Sequence, residues 1–255
     1  MRKKIPRHDG VLGEDEEDPV FQLDLEGFTP SEKDCDGISL LSQQLFPSRG
    51  TVNAKKLAEY IISHQSVGTV VKPSECSDDD EDDDDNDGPG VVFAFTSVID
   101  LSVQESNRFA VVKALRDWLI QLVCMAKPCS AKDNVLSLLE SGDGNTKPFF
   151  FLNERFENLP LSVCGQAVAG LPAEFNEAKL KPTHIVMVSR ASRGEASMQY
   201  AYPEVEFVRP YALYDLELPN RLATNESDDC FDTFILIVIS MDRFGDVLDA
   251  LESHL

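Results

Sequence analysis

An acidic run contains the densest group of side chains that could bind a cation. Nine carboxylates fall within the eleven residues from Ser77 to Asp87: Asp78, Asp79, Asp80, Glu81, Asp82, Asp83, Asp84, Asp85 and Asp87. Three of these aspartates, together with Gly88, match the start of an EF-hand calcium loop. The twelfth position of such a loop would be Ala94, where a bidentate glutamate is required, and the flanking segments have the composition of strands. The run is therefore not predicted to bind calcium.

The remaining chemically active residue types do not form a recognisable catalytic or metal-binding motif. None of the four histidines has a cysteine or carboxylate at metal-ligand spacing: His8, His64, His184 and His254. The six cysteines contain no C-x-x-C pair. The sequence also lacks the nucleophile elbow, the phosphate-binding loop and the dinucleotide glycine pattern. We therefore predict no catalytic residue, no metal and no cofactor.

Repulsion between like charges predicts that the acidic run is a solvated loop, residues 77–90. The same charges could attract a basic protein, so we predict that these nine carboxylates form a client-binding segment; a simple solubilising spacer is the alternative. Ser77 precedes Asp78, Asp79 and Asp80, the pattern preferred by acidophilic kinases of the casein-kinase-2 type, and is a phosphorylation candidate.

The net charge of −22 limits the classes of partner. Removing the nine acids of the run would still leave −13, so the whole chain is acidic. Such a surface repels phosphate backbones and anionic lipids, which disfavours direct binding to nucleic acid or membrane and favours a basic protein partner. The N-terminus lacks the apolar segment of a secretory signal, so we expect a soluble intracellular protein.

Helices and buried strands alternate along the chain, which predicts one α/β domain with a central mixed sheet flanked by helices. Residues 1–27 show no periodicity and are predicted to be a disordered charged tail, followed by the domain at 28–255. Apolar composition predicts strands at 67–72, 91–101, 148–152, 183–189 and 231–240. Apolar spacing predicts helices at 37–46, 130–139, 161–178 and 242–254, of which the third is broken at Pro172. It also predicts a helix that begins near residue 53, and a helix that begins with a capping box at Ser102 and ends before Pro128.

The segment PFFFLNERFENLP, Pro148 to Pro160, resembles a characteristic segment of the BCCIP family. Other similar pieces occur in the same order: GISLLSQQLF, VGTVVK, an acidic run followed by FAFTSVIDL, and the closing MDRFGDVLDALESHL. The most specific piece is LNERF, in which an apolar strand ends in Asn153, Glu154, Arg155 and Phe156. We predict that these four residues have a structural or interface role and no catalytic role.

The resemblance implies a fold similar to that of the GNAT acetyltransferases. Those enzymes bind the pyrophosphate of acetyl-CoA with a Q/R-x-x-G-x-G/A turn. The nearest segments here, Gln166 to Gly170 and Arg190 to Gly194, have the wrong glycine spacing. The fold is therefore predicted without the acetyl-CoA turn, and a divergent acetyltransferase is the alternative from a different functional class.

The resemblance also implies nuclear localisation and binding of other proteins. Family members bind a breast-cancer susceptibility protein and a cyclin-dependent kinase inhibitor, and the yeast branch chaperones a basic protein of the large ribosomal subunit. This chain departs from some relatives by being compact between Arg190 and Tyr200. We expect a non-enzymatic acidic adaptor or chaperone for basic clients in nuclear transport and large-subunit assembly. A scaffold for cell-cycle or DNA-repair proteins is the alternative.

Overall fold

The computed structural model describes residues 25–47, 50–64, 67–73, 91–142, 144–157, 159–194, 197–220 and 231–254. The predicted tail is described only from Leu25 onward, and the acidic run with Ser77 lies outside the described residues. Within the described ranges, no helix has the length and hydropathy needed to cross a membrane.

Eight strands form one mixed sheet in the described part of the chain. Their order is β1-β2-β3-β4-β5-β8-β7, and β6 pairs with β5. The strands are β1 Leu25–Phe28, β2 Gly68–Pro73, β3 Ala94–Asp100, β4 Pro148–Arg155, β5 His184–Arg193, β6 Met198–Tyr200, β7 Tyr214–Pro219 and β8 Thr233–Ser240. The β4–β5 pair is parallel and the other described pairs are antiparallel.

Helices cover both faces of the sheet. They are α1 Cys35–Ser42, α2 Ala54–His64, α3 Val103–Arg108, α4 Ala110–Cys124, α5 Ser130–Glu140, α6 Leu161–Glu177, α7 Glu204–Val208 and α8 Phe244–Glu252. Buried residues of α1, α2, α4 and α5 form one apolar core with the sheet, and those of α6, α7 and α8 form the second. The predicted mixed sheet flanked by helices is confirmed, whereas the likeness to the acetyltransferase fold stays a prediction.

The side chains of β4 alternate between the two cores, as the period of a strand requires. Phe150 and Leu152 point into the core of α1, α2, α4 and α5, whereas Phe149 packs into the other core. The same alternation places Glu154 on the side of Phe150 and Leu152. A charged residue at the end of this strand is therefore directed toward the interior.

The helix predicted from Ser102 is divided in two at Phe109, whose backbone is extended with φ −126° and ψ 119°. The hydroxyl of Ser102 accepts a hydrogen bond from the Glu105 backbone N–H at 3.2 Å, so half of the predicted capping box forms. The Glu105 carboxylate instead accepts a hydrogen bond from the Tyr60 hydroxyl at 3.1 Å. The Ser102 N–H donates to Asp100 Oδ1 at 2.7 Å, which replaces the second half of the capping box.

Two predicted boundaries differ from the structure. Strand β1 begins at Leu25, three residues inside the predicted tail, because residues 25–28 pair with β2 from Pro73 back to Val70. Pro172 lies inside α6 rather than at a break. Its neighbours Leu171 and Phe175 are buried against the sheet, and this packing offsets the backbone hydrogen bond that proline removes.

Candidate functional site

The parallel strands β4 and β5 pair only at 148–150 with 184–186, although they contain 8 and 10 residues. Beyond Phe150, the backbone of β4 no longer pairs with β5, and at Arg155 it forms hydrogen bonds with side chains instead. The Arg155 N–H donates to the Tyr202 hydroxyl at 3.2 Å, and the Arg155 carbonyl accepts from Gln44 Nε2 at 3.1 Å. Buried backbone polar groups need such partners, so the separation of the strands is stabilised by specific side chains.

Six polar side chains fill this separation, and we call them the buried charge cluster: Gln44, Glu154, Arg155, Arg190, Tyr202 and Glu204. The five other than Gln44 are each at most 5% exposed. They come from β4, β5, the start of α7 and the segment just before it, and Gln44 follows α1. The cluster therefore joins elements that are far apart in sequence.

Arg155 and Glu204 form a two-pronged ion pair at the centre of the cluster. Arg155 Nη1 lies 2.5 Å from Glu204 Oε1, and Nη2 lies 2.8 Å from Oε2. The guanidinium carbon also lies 4.4 Å from the centre of the Tyr202 ring. Asn153 Nδ2 donates to Glu204 Oε1 at 3.3 Å. The planar donors of arginine match a carboxylate in this geometry, which a lysine could not reproduce.

Glu154 is the most perturbed carboxyl group of the cluster. Burial raises its pKa to about 7, although nearby Arg190 and a hydrogen bond from the Tyr202 hydroxyl favour the ionised form. That hydrogen bond measures 2.8 Å to Glu154 Oε2. Burial and the adjacent Glu154 carboxylate raise the pKa of the Tyr202 hydroxyl above its usual range. The tyrosine therefore keeps its proton and acts as the donor.

Arg190 links the cluster to the protein surface. Its Nη2 donates to Gln44 Oε1 at 2.7 Å and lies 3.4 Å from Glu157 Oε1, whose side chain is half exposed. Its guanidinium also lies 5.0 Å from the centre of the Phe231 ring. The positive charge of Arg190 is thus held between an inner amide and an outer carboxylate.

A glutamate with a pKa near neutrality could serve as a general base, provided that a substrate reached it. A cavity with a volume of about 30 Å³ lies under α6, α7 and α8, and Asn153 and Glu204 contribute to its wall. It can contain about one or two water molecules but not acetyl-CoA. The geometry therefore favours a structural role for the Glu154 carboxyl group.

The predicted motif residues occupy different environments. Glu154 and Arg155 are buried and belong to the cluster, and Asn153 contacts it through Glu204. Phe156 is 39% exposed. Of the two predicted roles, burial favours the structural one for Glu154 and Arg155, whereas Phe156 remains accessible to a partner. Ser77 and the nine carboxylates of the acidic run are outside the described residues, so their roles stay predictions.

Sequence reasoning did not assign a role to four members of the cluster: Gln44, Arg190, Tyr202 and Glu204. One signal was present, because Arg190 extends an apolar strand pattern much as Glu154 and Arg155 do. A charged residue within such a pattern needs a buried partner. The identity of the partner depended on contacts between residues as far apart as Gln44 and Tyr202.

The described residues do not contain three or more His, Cys, Asp or Glu side chains grouped so as to hold a metal ion. The buried carboxylates of Glu204 and Asp34 instead contact cations of the protein itself. In addition to the Arg155–Glu204 pair, Asp34 is fully buried and its Oδ1 accepts from Lys72 Nζ at 2.9 Å. These pairs stabilise the fold and do not present a cation site.

The chain is similar in fold or in sequence to several known proteins. A solved structure of BCP1 from Saccharomyces cerevisiae matches with a TM-score of 0.60 over 93% of both chains at 19% identity. The BRCA2 and CDKN1A-interacting protein of Bos taurus is 26% identical over 91% of this chain and 83% of its own length. A BCCIP homolog of Drosophila melanogaster is 29% identical over 69% of this chain, and the matched region spans 57% of that relative.

The family model named BCCIP matches residues 20–207, which include the LNERF motif, both strands around the buried charge cluster and the start of α7. This match covers well over half of the chain. The chain belongs to the BCCIP family.

Proposed function

We propose that this protein is a non-enzymatic acidic adaptor that binds and shields basic client proteins. Its clients would include a protein of the large ribosomal subunit, and it would act in nuclear transport and assembly of that subunit. The observation that supports this proposal is the net charge of −22, together with nine carboxylates concentrated at 78–87. A client rich in lysine and arginine would be attracted to this charge and kept from binding RNA prematurely.

The printed names of the relatives support binding as the activity of the family. The bovine and human relatives are each named as a BRCA2 and CDKN1A-interacting protein. A relative in Mycosarcoma maydis is named BCP1, as is the yeast protein of similar fold. The mammalian names favour a second candidate function, a scaffold for a kinase inhibitor or repair protein. The two candidates differ in the partner and share the physical mode of binding.

Neutralising the acidic run should slow association with a basic client. Replacing Asp78, Asp79, Asp80, Glu81, Asp82, Asp83, Asp84, Asp85 and Asp87 by Asn and Ser removes nine mutually repelling charges, so the melting temperature should stay unchanged or rise. Long-range attraction acts mainly on the association rate, which should fall several-fold at low salt. The difference should shrink as salt shortens the Debye length from about 10 Å at 0.1 M to about 3 Å at 1 M.

Stopped-flow fluorescence with a labelled lysine-rich protein measures this rate for the wild type and the neutralised variant. Equal association rates at low salt would show that the run is only a solubilising spacer. Client binding would then have to be assigned to the folded acidic surface. Within the same proposal, phosphorylation of Ser77 would add up to about two negative charges to the run and increase the rate further.

A further inference from the structure

Exposed apolar side chains are concentrated at one end of the sheet. Of the described residues, four large apolar side chains are exposed: Leu40 at 59%, Val91 at 58%, Phe156 at 39% and Leu213 at 45%. The first three lie near the end of the β3–β4 pair, whereas Leu213 precedes β7 at the opposite edge of the sheet. A group of exposed apolar residues bordered by charges is typical of a protein interaction site.

Helix α1 lies across this end of the sheet and brings Leu40 to it. A Cβ atom on Gly37 would lie 2.6 Å from Val92 Cγ2, so the absence of a side chain permits a close approach of α1 to the segment leading into β3. Four residues beyond Leu40, Gln44 Nε2 donates to the Arg155 carbonyl. Leu40 therefore lies on α1 between two contacts with the ends of β3 and β4.

Two aromatic rings complete this surface. The ring centres of Phe93 and Phe156 are 5.7 Å apart in an edge-to-face arrangement, and the Phe156 N–H donates to the Phe93 carbonyl at 3.0 Å. Phe93 is half-buried, whereas Phe156 is exposed. We call Leu40, Val91, Phe93 and Phe156 the apolar patch. The Arg155–Glu204 ion pair of the buried charge cluster fixes the backbone immediately before Phe156.

Two exposed acidic side chains lie next to the apolar patch. Asp36 adjoins Gly37 on α1 and its side chain is 72% exposed, with Lys55 Nζ 3.9 Å from its Oδ1. Glu157 follows Phe156 and its side chain is 53% exposed, with Arg190 Nη2 3.4 Å from its Oε1. In sequence, the nine carboxylates of the acidic run end four residues before Val91. An apolar side chain bound here would therefore be flanked most favourably by lysine or arginine.

We propose that the apolar patch is the anchoring surface for a basic client, and that it takes an aromatic or large aliphatic side chain from within a lysine- and arginine-rich segment. This inference rests on the proposed function and adds the short-range contact to it. Exposed ion pairs each contribute only about 0–1 kcal/mol, so charge attraction alone would give weak and salt-sensitive binding. A second copy of the chain is a less suitable occupant, since both copies carry a charge of −22.

Fluorescence anisotropy with two labelled peptides tests this inference on the full chain. Both peptides are rich in lysine and arginine and have the same charge; one contains a central tryptophan and the other contains serine at that position. Wild type should bind the tryptophan peptide roughly tenfold more tightly, as expected for partial burial of an aromatic side chain. Leu40→Ser and Val91→Ser alter the two most exposed residues of the patch and should reduce this preference several-fold, as should Phe156→Ser if it folds.

Leu213→Ser is the matched control, because it removes an exposed leucine beside the edge strand β7, away from the patch, and it should retain the preference for tryptophan. Equal affinity of wild type for the two peptides would overturn the anchoring role and leave the proposed function standing. Failure of both peptides to bind would overturn the proposed function itself. Sedimentation that shows a wild-type dimer and a monomeric Leu40→Ser variant would identify a second copy as the occupant and overturn the inference.

Discussion

Replacing Arg155 by methionine should lower the free energy of unfolding by about 3–5 kcal/mol, because it leaves the Glu204 carboxylate buried without its opposite charge. Arg155 and Glu204 are 1% and 4% exposed, so the carboxylate is shielded from bulk water when its partner is lost. Methionine has a similar length and packs well in apolar surroundings, which separates loss of charge from loss of volume. Urea unfolding monitored by circular dichroism measures the effect through the midpoint and the slope.

Arg193→Met is the matched control for this prediction. Arg193 Nη2 lies 2.7 Å from Glu217 Oε2, but the arginine side chain is 72% exposed, so the cost should stay within about 1 kcal/mol. Combining Arg155→Met with Glu204→Gln should recover part of the lost stability, since the second change removes the uncompensated buried charge. If Arg155→Met and Arg193→Met were equally mild, the buried charge cluster would not stabilise the separation of β4 and β5.

The stability of the protein should fall between weakly acidic and neutral pH because of Glu154. Its pKa is about 7 in the folded chain, compared with an ordinary value of 4.5. Below pH 4.5, Glu154 is protonated in both the folded and unfolded chains, and it imposes no penalty. As the pH rises from 4.5 toward 7, Glu154 ionises in the unfolded chain before it ionises in the folded chain, so folding becomes less favourable. Above pH 7 the loss reaches about 3 kcal/mol, since each pKa unit corresponds to about 1.4 kcal/mol.

Glu154→Gln removes this titration while keeping the shape of the side chain. Relative to wild type, the variant should gain about 3 kcal/mol in unfolding free energy between pH 4.5 and pH 8, as measured by urea unfolding across that range. Tyr202→Phe offers a second check. It removes a hydrogen bond that favours ionised Glu154, so the loss of stability should extend to higher pH than in wild type. Parallel pH profiles for wild type and Glu154→Gln would contradict the inward, desolvated position of the carboxyl group.

Apolar patterning was sufficient to predict the central strands and most helices of this fold. Strand β8 is a nearly continuous apolar run, β3 is rich in apolar residues, and both are almost wholly buried at interior positions of the sheet. Strand β7 was not predicted, although Leu216 and Leu218 alternate with the acidic residues Asp215 and Glu217 as in a half-buried strand. Its high charge and short length obscured the strand signal.

The candidate site was only partly predictable, because its members meet through tertiary contacts. The LNERF motif indicated that Glu154 and Arg155 were unusual at the end of an apolar strand. The pairing of Arg155 with Glu204 could not be read from the sequence, because the two residues are 49 positions apart and are brought together by the separation of β4 and β5. The apolar patch was also hidden, since exposure of Leu40 depends on how α1 packs against Val92.

The buried charge cluster and the charged surface have separate roles in this account. The cluster pairs Arg155 with Glu204 and fixes the chain next to Phe156, whereas we propose that the acidic residues outside the core attract the client. Substitutions in the cluster should therefore change stability, and substitutions in the acidic run should change association. A variant of the acidic run that unfolds would contradict this separation.

The function of an acidic adaptor is tested by affinity capture from cells that express the tagged wild type or its nine-residue neutralised variant, with the bound proteins quantified by mass spectrometry. Wild type should retain a set of strongly basic proteins, rising salt should release them, and the neutralised variant should retain several-fold less. Recovery of the same partners in equal amounts by both proteins, or of partners without an excess of lysine and arginine, would contradict the function of an acidic adaptor for basic clients.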